Sequence, residues 1–422
     1  MLGNLRVVEI CAGAGGQSLG LELAGFDHEL AVELDETAVG TLRHNRPNWK
    51  VAQGDVADAQ VWNPLDYAPG DGSAAIELLA GGVPCPPFSL AGKQLGAHDE
   101  RDLFAWAVEQ TAVLQPRALL LENVRGLSMP RFAGYRQHVL DRLRSFGYVA
   151  EWRLLQASGF GVAQLRPRFV LVAMRPEDFE YFHWPQPLPT TPTVGEVLLP
   201  LMSERGWRGA QAWARGADRV APTVVGGSKK HGGADLGPTR AKKAWAELGV
   251  DGRGIANAAP TGDDAFDIGP RLTNAMVARV QGWDDESYVW EFTGKKTSVY
   301  RQIGNAFPPP VARSIGQQIA AALKRTANRR ELSSEWETDP LYTAMRTSPV
   351  FLTVSDLTKK IGLRLTPAEV LRRVEALGRD FEIQETLQGE APAYKLGRFK
   401  AFVGQDDHGR HDYFKSHLSK IS

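Results

Sequence analysis

The chain has few cysteines, no long apolar run and no excess of either charge, and each absence excludes a class of protein. Only 2 of its 422 residues are cysteines, Cys11 and Cys85, and neither lies in a CxxC pair or a Cys/His cluster. A disulfide scaffold and a zinc site are therefore excluded, and we expect no metal. No apolar run approaches the roughly 18 residues that span a bilayer, and the start of the chain lacks the order of a signal peptide. We expect a soluble, intracellular protein.

The charge balance excludes a histone-like DNA binder. Lysine and arginine together number 49, as do aspartate and glutamate, so the formal net charge is zero. This balance still allows a local basic groove. With 43% hydrophobic residues, the chain is long enough for two or three domains with cores of their own. No repeat of fixed period is visible.

The first part of the chain has the pattern of an α/β protein with a largely parallel sheet. Short apolar runs alternate with amphipathic stretches from Leu5 to about Phe182. The predicted strands are Leu5–Ile10, Leu30–Glu33, Ala75–Ala80, Ala118–Leu121, Tyr148–Leu155 and Phe169–Ala173. The predicted helices are Ser18–Leu23, Glu36–Asn45, Leu103–Leu114 and Arg136–Phe146. The last two strands lie close together in the sequence, so we predict a hairpin there.

The rest of the chain divides into three further parts. Prolines, glycines and lysines crowd a loop-rich module, residues 185–270. Helices are then predicted at Arg271–Gly282 and Pro310–Lys324, and the second carries a core-facing stripe that suits a return to the first domain. A polar linker leads to a last segment with a helix at Pro367–Leu377 and a strand pair around Phe381–Phe402. We therefore expect domains at 1–184, 185–270, 271–325 (completing the first) and 326–422.

A glycine turn between a strand and a helix suggests a nucleotide-like ligand. Gly13, Gly15 and Gly16 let the backbone approach a ligand closely and direct a helix N-terminus at it. The same glycines also suit a tight turn that packs without any ligand. Glu33 follows at the spacing where an acidic side chain meets ribose hydroxyls, and Asp55 lies where a carboxylate accepts from an adenine amino group. The three signals together favour adenosine binding.

Two further positions carry a reactive or charged side chain. Cys85 sits between prolines after an apolar strand, and its thiol is either a nucleophile or a small buried hydrophobe. Glu122, beside Asn123, ends another strand at the edge where such folds place ligands; a loop-tethering carboxylate is the alternative.

Polar side chains also alternate along one predicted strand. Gln164, Arg166 and Arg168 share one strand face, because the side-chain period of a strand is two. That face is either solvated or the wall of a site for an anionic or carbonyl-rich ligand.

The order of these blocks resembles that of the DNA (cytosine-5) methyltransferases, over about Leu5 to Leu323. The resemblance rests on the glycine turn, Glu33, Asp55, Pro84-Cys85, Glu122-Asn123-Val124, Gln164–Arg168, Arg271-Leu272-Thr273 and Gln302–Asn305. It implies a Rossmann-like S-adenosylmethionine-dependent methyltransferase domain, a smaller target recognition domain and a C-terminal accessory segment. The implied substrate is double-stranded DNA.

The resemblance also implies catalytic roles. Cys85 would attack C6 of a flipped-out cytosine and form a covalent adduct. Glu122 would protonate or hydrogen-bond N3 of the base. Arg168, with Arg166 beside it, would hold the base carbonyl and the neighbouring backbone. The group that removes the C5 proton is not identified.

By the same resemblance, S-adenosylmethionine would be bound by one group of residues and leave as S-adenosylhomocysteine. These residues are Cys11, Ala12, Gly13, Gly15, Gly16, Glu33, Asp55, Pro84 and Asn305. Cys11 stands where the family commonly has phenylalanine, so an aromatic contact to adenine is absent or supplied elsewhere, and we expect Cys11 to pack. Pro86-Pro87 replace a commoner Gln-Gly-like pair, which stiffens the loop Phe88–Asp99 that closes over DNA in the family.

Residues 185–270 occupy the position of the family's target recognition domain. This segment includes GGSKKHGGADLGPTRAKKAW, in which basic residues lie among glycines flexible enough to follow phosphates and bases. A solvated charged surface is the alternative. The residues expected to contact DNA are Ser89, Gln164, Lys229, Lys230, Arg240, Lys242 and Lys243.

Other functions explain less of the chain. Cys85-Pro86-Pro87-Phe88 looks like the motif of amino-group DNA methyltransferases, but a thiol suits the exocyclic amine poorly and Glu122 would have no role. A dinucleotide oxidoreductase leaves Cys85 and the arginines unused. A tRNA methyltransferase of the same family and an inactive DNA-binding relative are further alternatives. We expect a prokaryotic, cytoplasmic enzyme of a restriction–modification system, with a separate endonuclease.

Overall fold

The computed structural model describes most of the chain. The described residues are 5–70, 76–83, 101–226, 234–283, 288–332, 339–362, 365–378 and 380–399. Within this part, none of the helices combines the length and the apolar character that crossing a bilayer requires. The same residues contain no group of three or more His, Cys, Asp or Glu side chains arranged to hold a metal ion.

Seven strands form one large sheet. They are β1 (Leu5–Ile10), β2 (Phe26–Glu33), β3 (Val51–Gln53), β4 (Leu78–Gly82), β5 (Ala118–Val124), β6 (Val149–Gln156) and β7 (Pro167–Met174). Their order across the sheet is β3-β2-β1-β4-β5-β7-β6. The first five are parallel, whereas β7 runs antiparallel to both β5 and β6. The predicted α/β class and the hairpin are confirmed; β3 was not predicted.

Helices cover both faces of this sheet. They are α1 (Gly16–Leu23), α2 (Glu36–Asn45), α3 (Arg101–Leu114), α4 (Ala133–Ser145) and the short α5 (Pro176–Phe179). The start of α2 follows from its sequence, because the Asp35 side chain accepts hydrogen bonds from the backbone of Thr37 and Ala38 and so caps the first turn. Two hydrophobic clusters result, one on each side of the sheet.

A late helix returns to the first domain. The next helices are α6 (Val194–Ser203), α7 (Ala210–Gly216), α8 (Thr239–Ala246), α9 (Asn274–Val280), α10 (Lys296–Asn305) and α11 (Pro309–Leu323). Helix α11 packs against α1 so closely that a Cβ on Gly20 would lie 2.5 Å from the Ala312 Cβ. Val311, Ile315 and Ile319 share a cluster with the β1 side chain Val7. The predicted packing of this helix beside the first strand is confirmed.

The recognition module, residues 185–270, shares its core with α9 and α10. Buried side chains of α6, such as Val194 and Leu198, lie in the same cluster as Met276, Tyr300 and Ile303. The expected boundary at residue 270 thus falls inside one hydrophobic cluster. The domain division given above stays a prediction.

The C-terminal module, residues 339–399, has a core of its own. It consists of α12 (Pro340–Arg346), β8 (Leu352–Thr353), α13 (Val354–Ile361), α14 (Pro367–Leu377), β9 (Phe381–Gln388) and β10 (Ala391–Phe399). The strands form a second sheet in the order β8-β10-β9. The helix Pro367–Leu377 and the strand pair are confirmed, and α12, β8 and α13 were not predicted.

The C-terminal module contacts the catalytic domain along α4. The His138 ring lies 4.1 Å from the Phe399 ring and 5.4 Å from the Phe381 ring, measured between centroids. A Cβ on Gly134 would meet the side chain of Leu377 at 2.2 Å, so this glycine permits the close approach of α14. Burial, reinforced by the nearby Arg346 and Arg142 guanidinium groups, lowers the pKa of His138 to about 4.

This lowered pKa predicts acid sensitivity at the junction. An unfolded histidine binds a proton near pH 6.5, whereas the folded His138 stays neutral down to about pH 4. Its contribution to stability is therefore complete above pH 6.5 and is lost as the pH falls toward 4. Between pH 7 and pH 5 the free energy of unfolding should fall by about 2 kcal/mol more in the wild type than in His138→Phe. Urea unfolding at both pH values measures this difference, and identical pH profiles would contradict it.

Candidate active site

A cavity of about 280 Å³ opens at the carboxyl ends of β1, β2, β3, β4 and β5. This is the sheet edge where doubly wound α/β folds bind ligands, next to the point where the strand order reverses between β1 and β4. Of the predicted site residues that the structure describes, one group lines the cavity: Cys11, Ala12, Gly13, Gly16, Glu33, Asp55, Glu122 and Asn305.

The glycine turn after β1 has backbone angles that favour glycine. Gly13 and Gly15 have φ values of +57° and +92°. A Cβ on Gly13 would meet no atom within 4 Å, so open space faces this residue. A Cβ on Gly15 would lie 2.4 Å from Trp290, and one on Gly16 would lie 2.2 Å from the Phe307 carbonyl oxygen. Gly15 does not line the cavity. The close packing of Trp290 explains why a glycine is needed at this position, and the cofactor-binding role of Gly15 stays a prediction.

Glu33, the last residue of β2, is held beside the glycine turn by hydrogen bonds. Its Oε2 accepts a hydrogen bond of 2.7 Å from the Gly13 backbone NH, and its Oε1 accepts one of 2.8 Å from the Asp35 NH. Burial raises the pKa of Glu33, and these backbone donors act in the opposite direction. The carboxylate is therefore held in one orientation on the cavity wall, as a hydroxyl-binding role requires.

Asp55 and Cys11 lie on neighbouring parts of the wall. Asp55 is buried and accepts a hydrogen bond of 3.0 Å from the Ala57 NH. Cys11 has a φ of +51°, is half-buried and packs against the cluster between the sheet and α3. Among the described residues, Phe307 is the one aromatic residue of the cavity lining. Its side chain is buried in the cluster on the α11 side of the sheet, so an aromatic contact to adenine is not assigned.

Two cavity residues missed from the sequence carry unpaired polar atoms. Gln17 is buried at the start of α1, and neither its amide oxygen nor its amide nitrogen has a partner among the described residues. Glu9 is buried on β1; its Oε2 contacts His28 Nε2 at 2.9 Å, while its Oε1 has no partner within the same part of the chain. Buried polar atoms need partners. The ammonium, carboxylate and hydroxyl groups of S-adenosylmethionine would supply them, so the residues present fit this cofactor.

Helix α10 was not predicted, although it brings four residues to the cavity. These are Ser298, Arg301, Gln302 and the predicted Asn305. Its sequence signal is the spacing of the buried Tyr300 and Ile303, a short stripe beside polar residues. Gln302 accepts a hydrogen bond of 2.6 Å from the Thr41 hydroxyl, which ties α10 to α2. Asn305 therefore lines the cavity from α10, a helix whose sequence signal is short.

Glu122 ends β5 on the catalytic side of the cavity. Only 9% of this residue is exposed, and its Oε1 lies 2.6 Å from Arg168 Nε. Burial raises the pKa of Glu122, and the charges of Arg168 and Arg166 oppose that rise. Burial lowers the pKa of Arg168, opposed by Glu122. The result is a carboxyl group that holds a proton more readily than an exposed glutamate does.

The predicted nucleophile lies outside the described residues, as do Pro84 and Ser89. The described chain stops at Val83, two residues before Cys85. The Asn123 amide donates a hydrogen bond of 3.3 Å to the Val83 carbonyl oxygen. A Cβ on Gly82 would lie 3.6 Å from Glu122 Oε2. The strand that precedes Cys85 thus ends beside Glu122.

The prediction that Gln164, Arg166 and Arg168 share one strand face is wrong. Strand β7 begins at Pro167 and Arg166 has a φ of +22°, so Gln164, Arg166 and Arg168 do not share one face of a strand. Arg166 is 1% exposed, and its guanidinium donates three hydrogen bonds of 2.7 Å. The acceptors are the carbonyl oxygens of Val224, Gly304 and Ala306. It anchors the recognition module and α10 to the catalytic domain, and its contact with the base stays a prediction.

Gln164 is likewise part of the interior. It is 0% exposed; its amide nitrogen donates to Gln281 Oε1 at 2.7 Å, and its oxygen accepts from the Val224 NH at 2.7 Å. Gln164 would need a rearrangement to touch DNA. Its position does not support the predicted DNA contact.

The glycine- and lysine-rich segment is more ordered than expected. Thr239–Ala246 form helix α8, so the expectation of a flexible loop is wrong for these residues. Lys242 forms an ion pair of 2.7 Å with Asp235, while Arg240 and Lys243 are exposed on the helix. Lys229 and Lys230 lie outside the described residues.

The family model for C-5 cytosine-specific DNA methylases matches residues 5–321 of this chain. The chain belongs to this family. It is a DNA cytosine-5 methyltransferase, a class of enzyme that uses S-adenosylmethionine as methyl donor. The suspected resemblance is thereby confirmed.

Curated relatives extend this methyltransferase match to the whole chain. The Type II methyltransferase M.NaeI of Lentzea aerocolonigenes is 60% identical over 419 residues, which cover 99% of this chain and 100% of that protein. M.NgoMIV of Neisseria gonorrhoeae is 49% identical over 322 residues, 75% of this chain and 98% of that protein. A solved structure of the Entamoeba histolytica methyltransferase EhMeth has the same fold, with a TM-score of 0.50 at 13% identity over 76% of this chain and 99% of that one.

Proposed function

We propose that this methyltransferase modifies C5 of a flipped-out cytosine in one specific duplex sequence, through a covalent adduct between Cys85 and C6. The observation that carries the proposal is the buried Glu122, paired with Arg168 at 2.6 Å beside the end of the strand that precedes Cys85. A carboxyl group in that position can act on the base that the cysteine attacks.

The reaction begins with the thiolate of Cys85. Its sulfur forms a bond to C6, and the electron pair of the C5–C6 double bond moves toward C5. Protonation or strong hydrogen bonding of N3 by Glu122 makes this attack easier, because it withdraws electron density from the ring. The enamine-like C5 is then nucleophilic enough to accept a methyl group. When the C5 proton leaves to a base, the C6–S bond breaks and the thiolate returns.

The electrostatics of the site suit Glu122 to this role. Burial raises the pKa of its carboxyl group, so the group has a larger protonated fraction at neutral pH than an exposed glutamate has. Arg168 limits this shift and fixes the carboxyl orientation through its Nε contact. Its guanidinium would also hold a carbonyl oxygen of the base.

The opposite wall of the cavity suits the methyl donor. When bound, S-adenosylmethionine supplies an electrophilic methyl group. Glu33 would hold its ribose hydroxyls, Asp55 its adenine amino group and Gln17 its amino acid portion. Asn305 would close this side of the cavity from α10.

A role in restriction–modification is supported by the relatives. M.NaeI and M.NgoMIV are both described as Type II methyltransferases, at 60% and 49% identity. Methylation at one sequence would protect host DNA from a separate endonuclease of the same specificity. The recognition module, with Arg240 and Lys243 exposed on α8, would supply contacts to that sequence.

Transfer of a labelled methyl group tests the proposal. Purified protein, labelled S-adenosylmethionine and genomic DNA from an unmethylated host should give labelled 5-methylcytosine at a single sequence, and bisulfite sequencing would locate it. Label on adenine or on the exocyclic amine of cytosine would show that the assigned chemistry is wrong. DNA already methylated by the protein in cells is the matched control and should accept no further label.

A further inference from the structure

The C-terminal module lies beyond the part of the chain that matches the methylase family. The family model ends at residue 321, whereas the module spans 339–399. M.NgoMIV matches over 98% of its own length with only 75% of this chain, so it has no counterpart for the remaining quarter. M.NaeI matches 99% of this chain and therefore includes a counterpart of the module. The module is an addition to the methylase fold in these two proteins.

The module folds around its own hydrophobic core. Ten buried apolar side chains form one cluster, which includes Leu341 and Tyr342 of α12, Leu357 of α13, Val370 and Leu377 of α14 and Phe381 of β9. The elements follow each other as helix, strand, helix, helix, strand, strand, and the last two strands form an antiparallel hairpin. This is the order of a helix–turn–helix unit with a β-hairpin wing.

The two central helices have the features of a helix–turn–helix motif. Helix α13 ends at Gly362, which has a φ of +67°, a conformation that favours glycine. Helix α14 begins after Thr366, whose side chain forms a capping box with Glu369. Only residues 362–366 separate the helices, and α12 contacts both. In helix–turn–helix proteins the second helix enters the major groove and the first crosses the phosphate backbone.

Four exposed cations lie on these two helices. Lys359 and Lys360 are exposed on the last turn of α13, and Arg372 and Arg373 are exposed on α14. In the part of the chain that the structure describes, none of the four is within ion-pair distance of a carboxylate, whereas Arg46, Arg117, Arg142 and Arg168 of the catalytic domain are paired. The nearby Glu369 carboxylate accepts hydrogen bonds from Thr366 in the capping box.

The catalytic domain leaves this basic face uncovered. Its contacts with the module involve α12 at Tyr342, the C-terminal end of α14 at Leu377 and the rings of Phe381 and Phe399. Val370 and Val374 direct the inner side of α14 toward the core of the module, so Arg372 and Arg373 lie on its outer side. On the outer side of the two helices, Lys359 and Lys360 of α13 and Pro367 and Ala368 of α14 are exposed.

We propose that the C-terminal module binds duplex DNA on its own, separately from the cytosine that is methylated. Lys359 and Lys360 contact the phosphate backbone, and α14 lies in the major groove with Arg372 and Arg373 on the phosphates at its edges. The module thereby adds affinity for DNA that the methylase fold alone does not have. This inference does not rest on the cysteine mechanism, because phosphate contacts require no cytosine.

A duplex made only of A·T pairs tests the inference, because it contains no cytosine. Binding of this duplex to the full-length protein is measured over a range of salt concentrations. The variants are Lys359→Gln/Lys360→Gln and Arg372→Gln/Arg373→Gln. Each pair should reduce the magnitude of the negative slope of log K against log salt by about 2, and should weaken binding at least about tenfold near 0.1 M salt. Arg153→Gln/Lys324→Gln, two exposed cations of the catalytic domain, is the matched control and should do neither.

The outcomes separate this inference from the proposed function. Unchanged slopes in both module variants, with melting temperatures equal to the wild type, would overturn DNA binding by the module. A changed sedimentation mass with unchanged DNA affinity would overturn it too, in favour of a protein-docking face. Methyl transfer is measured in parallel at saturating cytosine-containing DNA, where the module variants should keep the wild-type kcat. If the wild-type protein transferred no methyl group to cytosine-containing DNA, the proposed function would be contradicted, whereas DNA binding by the module would not be.

Discussion

Replacing Glu122 with glutamine should lower kcat by a factor of about 10² to 10⁴, the range that positioned acid–base groups contribute. The amide keeps the shape of the side chain but cannot transfer a proton to N3 of the base. It also leaves Arg168, which lies 2.6 Å from Glu122 Oε1, without its charge partner. Single-turnover methyl transfer at saturating DNA measures the effect.

A matched control separates catalysis from folding. Glu177→Gln removes an exposed carboxylate on α5 and should leave kcat unchanged. The Kd of Glu122→Gln for S-adenosylmethionine should stay within a few-fold of the wild type, because the ribose and adenine contacts assigned to Glu33 and Asp55 are intact. A Glu122→Gln enzyme with wild-type kcat would remove Glu122 from the mechanism.

Replacing Cys85 with serine should have the larger effect, a loss of at least about 10⁴-fold in methyl transfer. Nucleophile knockouts in other covalent enzymes reach about 10⁶ in kcat. A thiol with a pKa near 8.5 provides some thiolate at neutral pH, whereas a serine hydroxyl stays protonated without a strong base. Labelled methyl transfer to duplex DNA measures the loss.

The chain contains one natural control for this variant. Cys11, the other cysteine, packs at the cofactor turn, and Cys11→Ala should still form the covalent adduct. Cys85→Ser should also bind S-adenosylmethionine with unchanged affinity. If Cys85→Ser kept turnover within tenfold of the wild type, the covalent route would be wrong.

Much of the fold could be predicted because its elements carry their own periodicity. Strand Leu5–Ile10 and helices Glu36–Asn45 and Pro367–Leu377 have the predicted bounds. Strand β3 could not be found in this way, since three residues are too few to show a period. Helix α10 was missed because only its short buried stripe around Tyr300 and Ile303 is apolar.

For the candidate site, the sequence predicted which residues meet but not all of their contacts. The order of the motifs predicted that Gly13, Glu33 and Glu122 belong to one site, and all three line the cavity. They meet there because the carboxyl ends of parallel strands lie at one sheet edge. Motif order could not show that Arg166 donates to three backbone carbonyls, because its partners lie 58 to 140 residues away in the chain. Burial of an arginine follows from tertiary packing, which an alternating strand pattern does not encode.

The C-terminal module was predicted only as one helix and a strand pair. Its helix–turn–helix order became visible once α12, β8 and α13 were placed around the same core as α14. Its short elements depend on that shared core, so their individual signals in the sequence are weak.

Covalent trapping tests the central claim most directly. DNA carrying 5-fluorocytosine at the methylated position should form a complex with the protein in the presence of S-adenosylmethionine, because the C5 fluorine cannot leave as a proton and the C6–S bond cannot then break. The account predicts a complex that survives denaturation, with the base attached to the peptide that contains Cys85. Methylation of normal DNA without any trapped complex, or attachment at another residue, would contradict it.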